Sequence, residues 1–287
     1  MSFGSVKQVT MSAEEFRLFR DMIHAHCGIY FREEMKYLLE RRLAPRLSLN
    51  GLEDFTAYYR FLRFSPARAR ELEDAVEILT TNETYFFREA YQLKAFSEEI
   101  LAELHERNSR RKRLRIWSAG CSTGEEPYSI SILVLESGLF GDWDVEIFGN
   151  VISRKVLSAA RRAVYSKNAF RETDEEQIRK WFEPVGGGLQ VKEEARRLVT
   201  FGHLNLLDEQ MIGLVGQMDL IFCRNVLIYF DKDAKKRVLR VFHDRLQPGG
   251  YLLLGHSESL INLTSDFELM HLKNDLVYRK PFLEDLS

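Results

Sequence analysis

The chain has 287 residues, 45% of them hydrophobic and 29% charged, with a formal net charge of −2. That length allows a main domain plus a smaller one, and the near-neutral balance excludes a global electrostatic drive toward nucleic acid. Three cysteines, Cys27, Cys121 and Cys223, lie far apart without C-x-x-C spacing, which argues for a reducing compartment and against a zinc site. No apolar run approaches the ~20 residues of a membrane span, and residues 1–7 lack the apolar core of a signal peptide, so a cytoplasmic protein without direct membrane insertion is expected.

Residues 12 to about 80 read as all-helical. Ser12 suits an N-cap, with Glu14 and Glu15 in the first turn and Phe16, Phe19 and Ile23 at helical spacing. His24 and His26 flank its end, but a separation of two does not place both imidazoles on one face, so no metal site is expected. A second helix over 33–49 carries Lys36, Arg41, Arg42 and Arg46 and stops at Asn50-Gly51. Two more helices fit 52–64 and 66–80. Arg42 and Arg46 share a helix face, and the basic excess between Lys36 and Arg70 is either a solvated face or a docking surface for an acidic protein.

Residues 79–89 are polar with three interleaved aromatics, Tyr85, Phe86 and Phe87, and one cation, Arg88, suited to a carboxylate. A helix over 89–107 and a basic connection lead into a strand around Leu114, Ile116 and Trp117. The next stretch, Ser118-Ala119-Gly120-Cys121-Ser122-Thr123-Gly124-Glu125-Glu126-Pro127-Tyr128-Ser129, reads as a glycine turn opening a helix. Such a strand–loop–helix unit is where open α/β sheets bind nucleotide-like ligands. The glycine spacing matches neither the dinucleotide fingerprint nor the phosphate loop. Glu125 and Glu126 stand where a phosphate would sit, which points to an adenosine carrying a cationic sulfonium and an ammonium, as in S-adenosylmethionine. The alternative is that both glutamates only complement the helix dipole.

A second strand over 145–151 precedes a helix capped by Ser153. Sheets of this kind place an acid at the end of that strand to hold the ribose hydroxyls, yet Val151 occupies the position, preceded by Asn150. Residues 164–199 suggest a small β insert with a tight hairpin at Gly186-Gly187-Gly188. A loop over 203–208 follows, then a strand over 218–223, a helix over 233–246 stopped by Pro248-Gly249-Gly250, a strand over 251–255, and a closing antiparallel pair over 267–271 and 276–279. The alternation predicts a doubly wound α/β sheet.

Three segments, Thr81-Asn82-Glu83-Thr84-Tyr85-Phe86-Phe87-Arg88, the glycine stretch 118–129, and Cys223-Arg224-Asn225-Val226-Leu227-Ile228-Tyr229-Phe230, resemble in order those of the CheR-type chemoreceptor glutamate O-methyltransferases. The resemblance implies an α/β methyltransferase fold with an N-terminal helical, receptor-facing domain over 1–80, a cofactor-contacting linker over 81–110, and the catalytic domain over 111–287 with a small β subdomain at about 165–200. It implies methyl transfer from S-adenosylmethionine, leaving S-adenosylhomocysteine, to glutamates of methyl-accepting chemotaxis proteins in sensory adaptation. It assigns cofactor contacts to Asn82, Thr84, Arg88, Glu125, Asn205, Leu206, Arg224 and Asn225, places Arg88 and Tyr229 nearest the transferred methyl, and gives Arg42 and Arg46 to the receptor. Some members bind a C-terminal receptor pentapeptide on the β subdomain; the short hairpin here implies independence from it. No metal and no nucleic acid are implied. Val151, at the ribose position, keeps open a second reading, a weakened member acting as a receptor- or adenosyl-binding adaptor.

Overall fold

The computed structural model describes residues 9–282 and divides the chain into two units, one through Thr81 and one from Asn82 onward. Residues 1–7, read above for a leader, lie outside the described residues.

The first unit contains helices α1 (Ala13–Cys27), α2 (Lys36–Leu49), α3 (Phe55–Phe64) and α4 (Arg68–Leu79). Ser12 and Glu15 form a reciprocal capping box at the start of α1, and Gly28 ends it in the left-handed region. A short 3-10 turn over Glu33–Met35 precedes α2, where a longer single helix is expected from sequence. The core packs Phe19 against Phe55, Tyr58 and Tyr59 with ring centroids 5.6–5.9 Å apart. Beside it lies a polar knot. Arg46 donates to both oxygens of Glu71 at 2.8 and 2.5 Å and to Asp74 at 2.7 Å, and the Tyr58 hydroxyl donates to Glu71 at 2.7 Å. Arg42 donates to the Leu79 carbonyl at 2.6 Å. Both arginines expected to face a receptor are therefore held within their own unit, since α4 carries acceptors opposite this face of α2.

The second unit starts with helical turns from Ala90 to Asn108: α5 (Ala90–Ala95), a π turn (Phe96–Ile100) and α6 (Leu101–Asn108). Leu93, Phe96, Ile100, Leu101 and Leu104 are buried in the same core as Leu114 and Ile116, so the segment expected as a linker is packed into the α/β unit. Then come β1 (Arg113–Ala119), α7 (Glu125–Glu136), β2 (Asp144–Val151), α8 (Arg154–Arg162), β3 (Val164–Tyr165), α9 (Glu175–Trp181), β4 (Phe182–Val185), β5 (Gly188–Val191), α10 (Glu193–Arg196) and β6 (Val199–His203). The chain continues through α11 (Glu209–Ile212), β7 (Met218–Cys223), α12 (Lys232–Arg245), β8 (Leu246–Leu254), β9 (Glu268–His271) and β10 (Leu276–Arg279).

The main sheet has the order β6-β2-β1-β7-β8-β10-β9. Its first five strands are parallel and β10 is antiparallel to both neighbours. From β1 the chain winds one way to β2 and β6 and the other way to β7 and β8. That reversal opens a crevice at the carboxyl ends of β1 and β7, the general ligand position in open α/β sheets. Pro248-Gly249-Gly250, expected to lie between the end of a helix and a strand from 251, lies inside β8, because α12 ends at Arg245; the irregular pairing between Met218 and Leu220 absorbs it. The β insert is a separate sheet of order β3-β5-β4. Gly186 and Gly187, with φ of 45° and 91°, make the two-residue hairpin turn that only a positive φ at both positions allows.

The polar knot sets the acid sensitivity of the helical unit. Burial alone would raise the Glu71 carboxyl, but hydrogen bonds from Arg46 and Tyr58 outweigh it and hold it below the ordinary value of 4.5. A carboxyl lowered on folding contributes stability above its unfolded value and loses it as pH falls through the folded one. Glu71→Gln is expected to cost about 2–4 kcal/mol at neutral pH, with the gap to the parent narrowing once pH falls below about 4.5, in urea unfolding across a pH series. A pH-independent gap would show that the carboxylate charge is not what stabilises the knot.

Candidate functional site

Three segments meet at the crevice. The first runs from Asn82 to Glu89, the second is the turn between β1 and α7, and the third follows β7. Arg224, 7% exposed, stands between them. Its Nε lies 3.3 Å from a Glu89 oxygen and its Nη1 3.3 Å from a Glu126 oxygen, while Nη2 donates to the Arg88 carbonyl. Glu126 also accepts from the Ser118 hydroxyl at 2.7 Å. Burial pushes the Glu126 carboxyl up, against the pull of Arg224. Ser129 adds a second tie: it donates to the Glu125 carbonyl at 2.7 Å and accepts from the Phe87 N–H at 3.0 Å.

The segment carries backbone strain. Phe87, Glu89, Ser122 and Asn225 all have φ between 49° and 58°, a region that non-glycine residues enter at a cost. Its aromatics have a structural cause. Phe86 is fully buried, donates its N–H to the Ala169 carbonyl at 2.9 Å, and packs on Tyr165, Phe170 and Phe182 at 4.8–5.2 Å. Phe86 thus pins the motif to the β insert.

The loop glycines also serve the protein itself. A Cβ on Gly120 would meet Val226 Cγ2 at 2.6 Å, and one on Gly124 would meet the Tyr165 hydroxyl at 3.0 Å and Ala160 at 3.1 Å. The sequence suggests room for a ligand; the structure shows room for neighbouring side chains as well.

The expected site residues fall as follows. Asn82 accepts from the Ser122 hydroxyl through its carbonyl at 3.3 Å, and Thr84 is half-buried nearby in the chain. Arg88 is half-buried; it donates to the Glu83 carbonyl at 2.9 Å and its Cζ lies 5.8 Å from the Tyr85 ring centroid. Arg171, unremarked in the sequence, covers the same ring at 3.8 Å and pairs with Glu83 at 3.0 Å. Asn205 accepts from the Leu207 N–H at 3.0 Å, and Leu206 is buried with Leu204 and Ile212. Tyr229 ends a 3-10 turn, Leu227–Tyr229, and is half-buried.

At the end of β2, Val151 is 5% exposed and packs with Cys121 and Leu157. Asn150 cannot replace a ribose acid, because both ends of its amide are occupied. Its Oδ1 accepts from Trp117 Nε1 at 2.7 Å and its Nδ2 donates to the Leu204 carbonyl at 3.0 Å.

Two acceptors test whether this crevice fits S-adenosylmethionine. Asn225 Oδ1 is buried with no hydrogen-bond partner. The Glu125 carboxylate is 4% exposed, accepts from the Thr123 hydroxyl at 2.6 Å, and is pushed up by burial. A buried unpaired acceptor is costly, and both are suited to ammonium or hydroxyl donors of that cofactor. Among the described residues no His, Cys, Asp and Glu cluster is arranged to hold a metal ion.

Residues 82–276 match the family model for the CheR methyltransferase SAM binding domain, and residues 14–80 match that for the CheR methyltransferase all-alpha domain. The chain is 35% identical to chemotaxis protein methyltransferase 2 of Vibrio cholerae serotype O1, over 96% of each chain. It is 38% identical to the chemotaxis protein methyltransferase of Vibrio parahaemolyticus, over 94% of this chain and 98% of that one. With the Salmonella typhimurium protein of the same name the identity is 37%, over 92% of this chain and 90% of that one.

The Arg224 knot carries its own test. Arg224→Met removes the cation between two carboxylates that are 12% and 15% exposed. Breaking such a buried pair is expected to destabilise the protein by about 3–5 kcal/mol in urea unfolding at neutral pH. A loss below ~1 kcal/mol would show that Glu89 and Glu126 do not rely on it.

Proposed function

The chain belongs to the CheR methyltransferase family, and from that premise we propose that it esterifies glutamate side chains of chemoreceptors with the methyl group of S-adenosylmethionine, in sensory adaptation in the cytoplasm. The observation that carries this reading is the buried, unpartnered Asn225 Oδ1 in the same crevice as Glu125 and the Arg224 knot. Among the described residues no helix is long and apolar enough to cross a membrane.

When bound, S-adenosylmethionine supplies an electrophilic methyl group on a sulfonium. A substrate glutamate is already ionised at neutral pH, so the chain need not provide a general base. Its work is alignment and the management of charge. We assign the ammonium end of the cofactor to Asn225 and Glu125, and the adenosine end to Asn205 and Leu206. Asn82, Thr84 and Arg224 form the remaining wall. Arg88 and Tyr229 orient the reacting carboxylate. An excess of fixed positive charge at that point would stabilise the ionised substrate more than the transition state, where the charge is cancelled. Arg224 avoids that effect because Glu89 and Glu126 already neutralise it.

Receptor docking is assigned to helix α2, with Arg42 and Arg46 shaping the helix rather than reaching the partner. Arg41, exposed on that helix, supplies the direct charge contact. The two-residue turn between β4 and β5 supports recognition without a C-terminal pentapeptide. The adaptor reading is not favoured, because the relatives named above are methyltransferases over nearly their whole length.

Purified protein with labelled S-adenosylmethionine and cytoplasmic fragments of receptors from the same organism is expected to yield a base-labile methyl ester, equally with and without the receptor's C-terminal tail. Fragments left without label would sink the reading. Val151 carries a separate prediction. Each charge-assisted hydrogen bond gained is worth about 1.5–3 kcal/mol, so Val151→Asp is expected to tighten S-adenosylhomocysteine binding about tenfold or more in titration calorimetry. An unchanged Kd would mean that the ribose is held from elsewhere.

A further inference from the structure

The turn after β7 bears three of the residues assigned to the site, Arg224, Asn225 and Tyr229. Asn225 sits in the left-handed region with φ of 58°, a conformation that asparagine tolerates better than most residues but that is still its minority one. What holds it there comes from the loop after β8. The Glu258 carboxylate accepts from the Asn225 N–H at 2.8 Å and from the Gly255 N–H at 2.8 Å through one oxygen. It accepts from the Ile228 N–H at 3.2 Å through the other. The Glu258 N–H returns to the Gly255 carbonyl at 2.8 Å, closing a tight loop around the acid. Gly255 is part of the same device. A Cβ there would meet Asn225 Nδ2 at 2.7 Å, Asn225 N at 2.9 Å and Glu258 Oε2 at 3.0 Å.

We infer that Glu258 is the positioning residue of the methyl-transfer site: its carboxylate gathers the N–H groups of Asn225 and Ile228 and so fixes where the Asn225 side chain and Tyr229 stand. The inference rests on the cofactor assignment made above. The chemistry favours a carboxylate over any other side chain of this length. Three converging N–H groups need an anion with several lone pairs, and such charge-assisted bonds are about twice as strong as neutral ones. A glutamine in the same place turns an NH2 toward at least one of those donors. The acid acts through Asn225, whose Oδ1 is buried without a hydrogen-bond partner.

Two measurements on the full chain test this. Hydrogen exchange without ligand reads the holding directly: Glu258→Gln is expected to speed exchange of the peptide spanning 224–230 about tenfold or more, while that of β1 stays as in the parent. Calorimetry with S-adenosylhomocysteine reads the consequence. Glu258→Gln is expected to raise Kd about tenfold or more, Glu258→Asp less, and Glu258→Gln with Asn225→Ala no further than the worse single change. Gly255→Ala, which keeps the acid and crowds Asn225, is expected to raise Kd in the same way and decides the matter if Glu258→Gln does not fold. Parent-like exchange over 224–230, a Kd within about twofold of the parent for either variant, or losses that multiply in the double variant would overturn the inference. A parent protein that fails to bind S-adenosylhomocysteine would instead overturn the cofactor assignment, and the exchange measurement would still decide whether Glu258 holds the turn.

Discussion

A cation buried between two carboxylates holds the crevice together. Arg224 reaches Glu89 from one segment and Glu126 from another, and its third contact is the Arg88 carbonyl. Burying one charge alone is prohibitive, and burying three is tolerable only when geometry pairs them. None of the three segments can therefore shift without exposing an unpaired charge. The strained backbone at Phe87, Glu89, Ser122 and Asn225 lies in these same segments. Strain of that kind persists only where the surroundings over-determine it.

The sheet supplies the scaffold on which this knot is tied. Because the winding reverses at β1, the turns after β1 and β7 leave the sheet side by side. Residues 82–89 have no strand to place them at the crevice. They are placed instead by Phe86 in its aromatic nest, by the Ser129 hydroxyl and by Arg224. The β insert thus contributes to the site without lining it: Tyr165 donates to the Thr123 carbonyl at 2.8 Å and also contacts Phe86.

Much of this was legible beforehand. The caps at Ser12 and Ser153, the hairpin at Gly186-Gly187, and the strand–turn–helix at Gly120 to Glu125 are local patterns, and each is found where the pattern puts it. Local conformational preference decides such features, so local sequence reports them. Other features depend on distant partners. The helix over 89–107 falls within the stretch that the resemblance gives as a linker, but its apolar residues share a core with β1. Arg42 and Arg46 look like a free basic face because the helix that covers them lies about thirty residues further along the chain, and nothing local announces Glu71.

By itself, then, the sequence determined the order of elements, the ligand class suggested by two glutamates at a glycine turn, and the family through three motifs in series. Only the tertiary structure decided which of the charged residues are partners and which are available. Glu126 suggests a cofactor neighbour or a dipole complement and is an ion-pair partner; Asn150, next to the valine at the ribose position, is fully engaged by Trp117 and Leu204; Glu258, which no sequence motif marks, organises the turn after β7. The reason is physical. Helix, strand and turn preferences act over a few residues, whereas a buried charge is satisfied by whatever group the fold brings within 3 Å or so, from any distance along the chain.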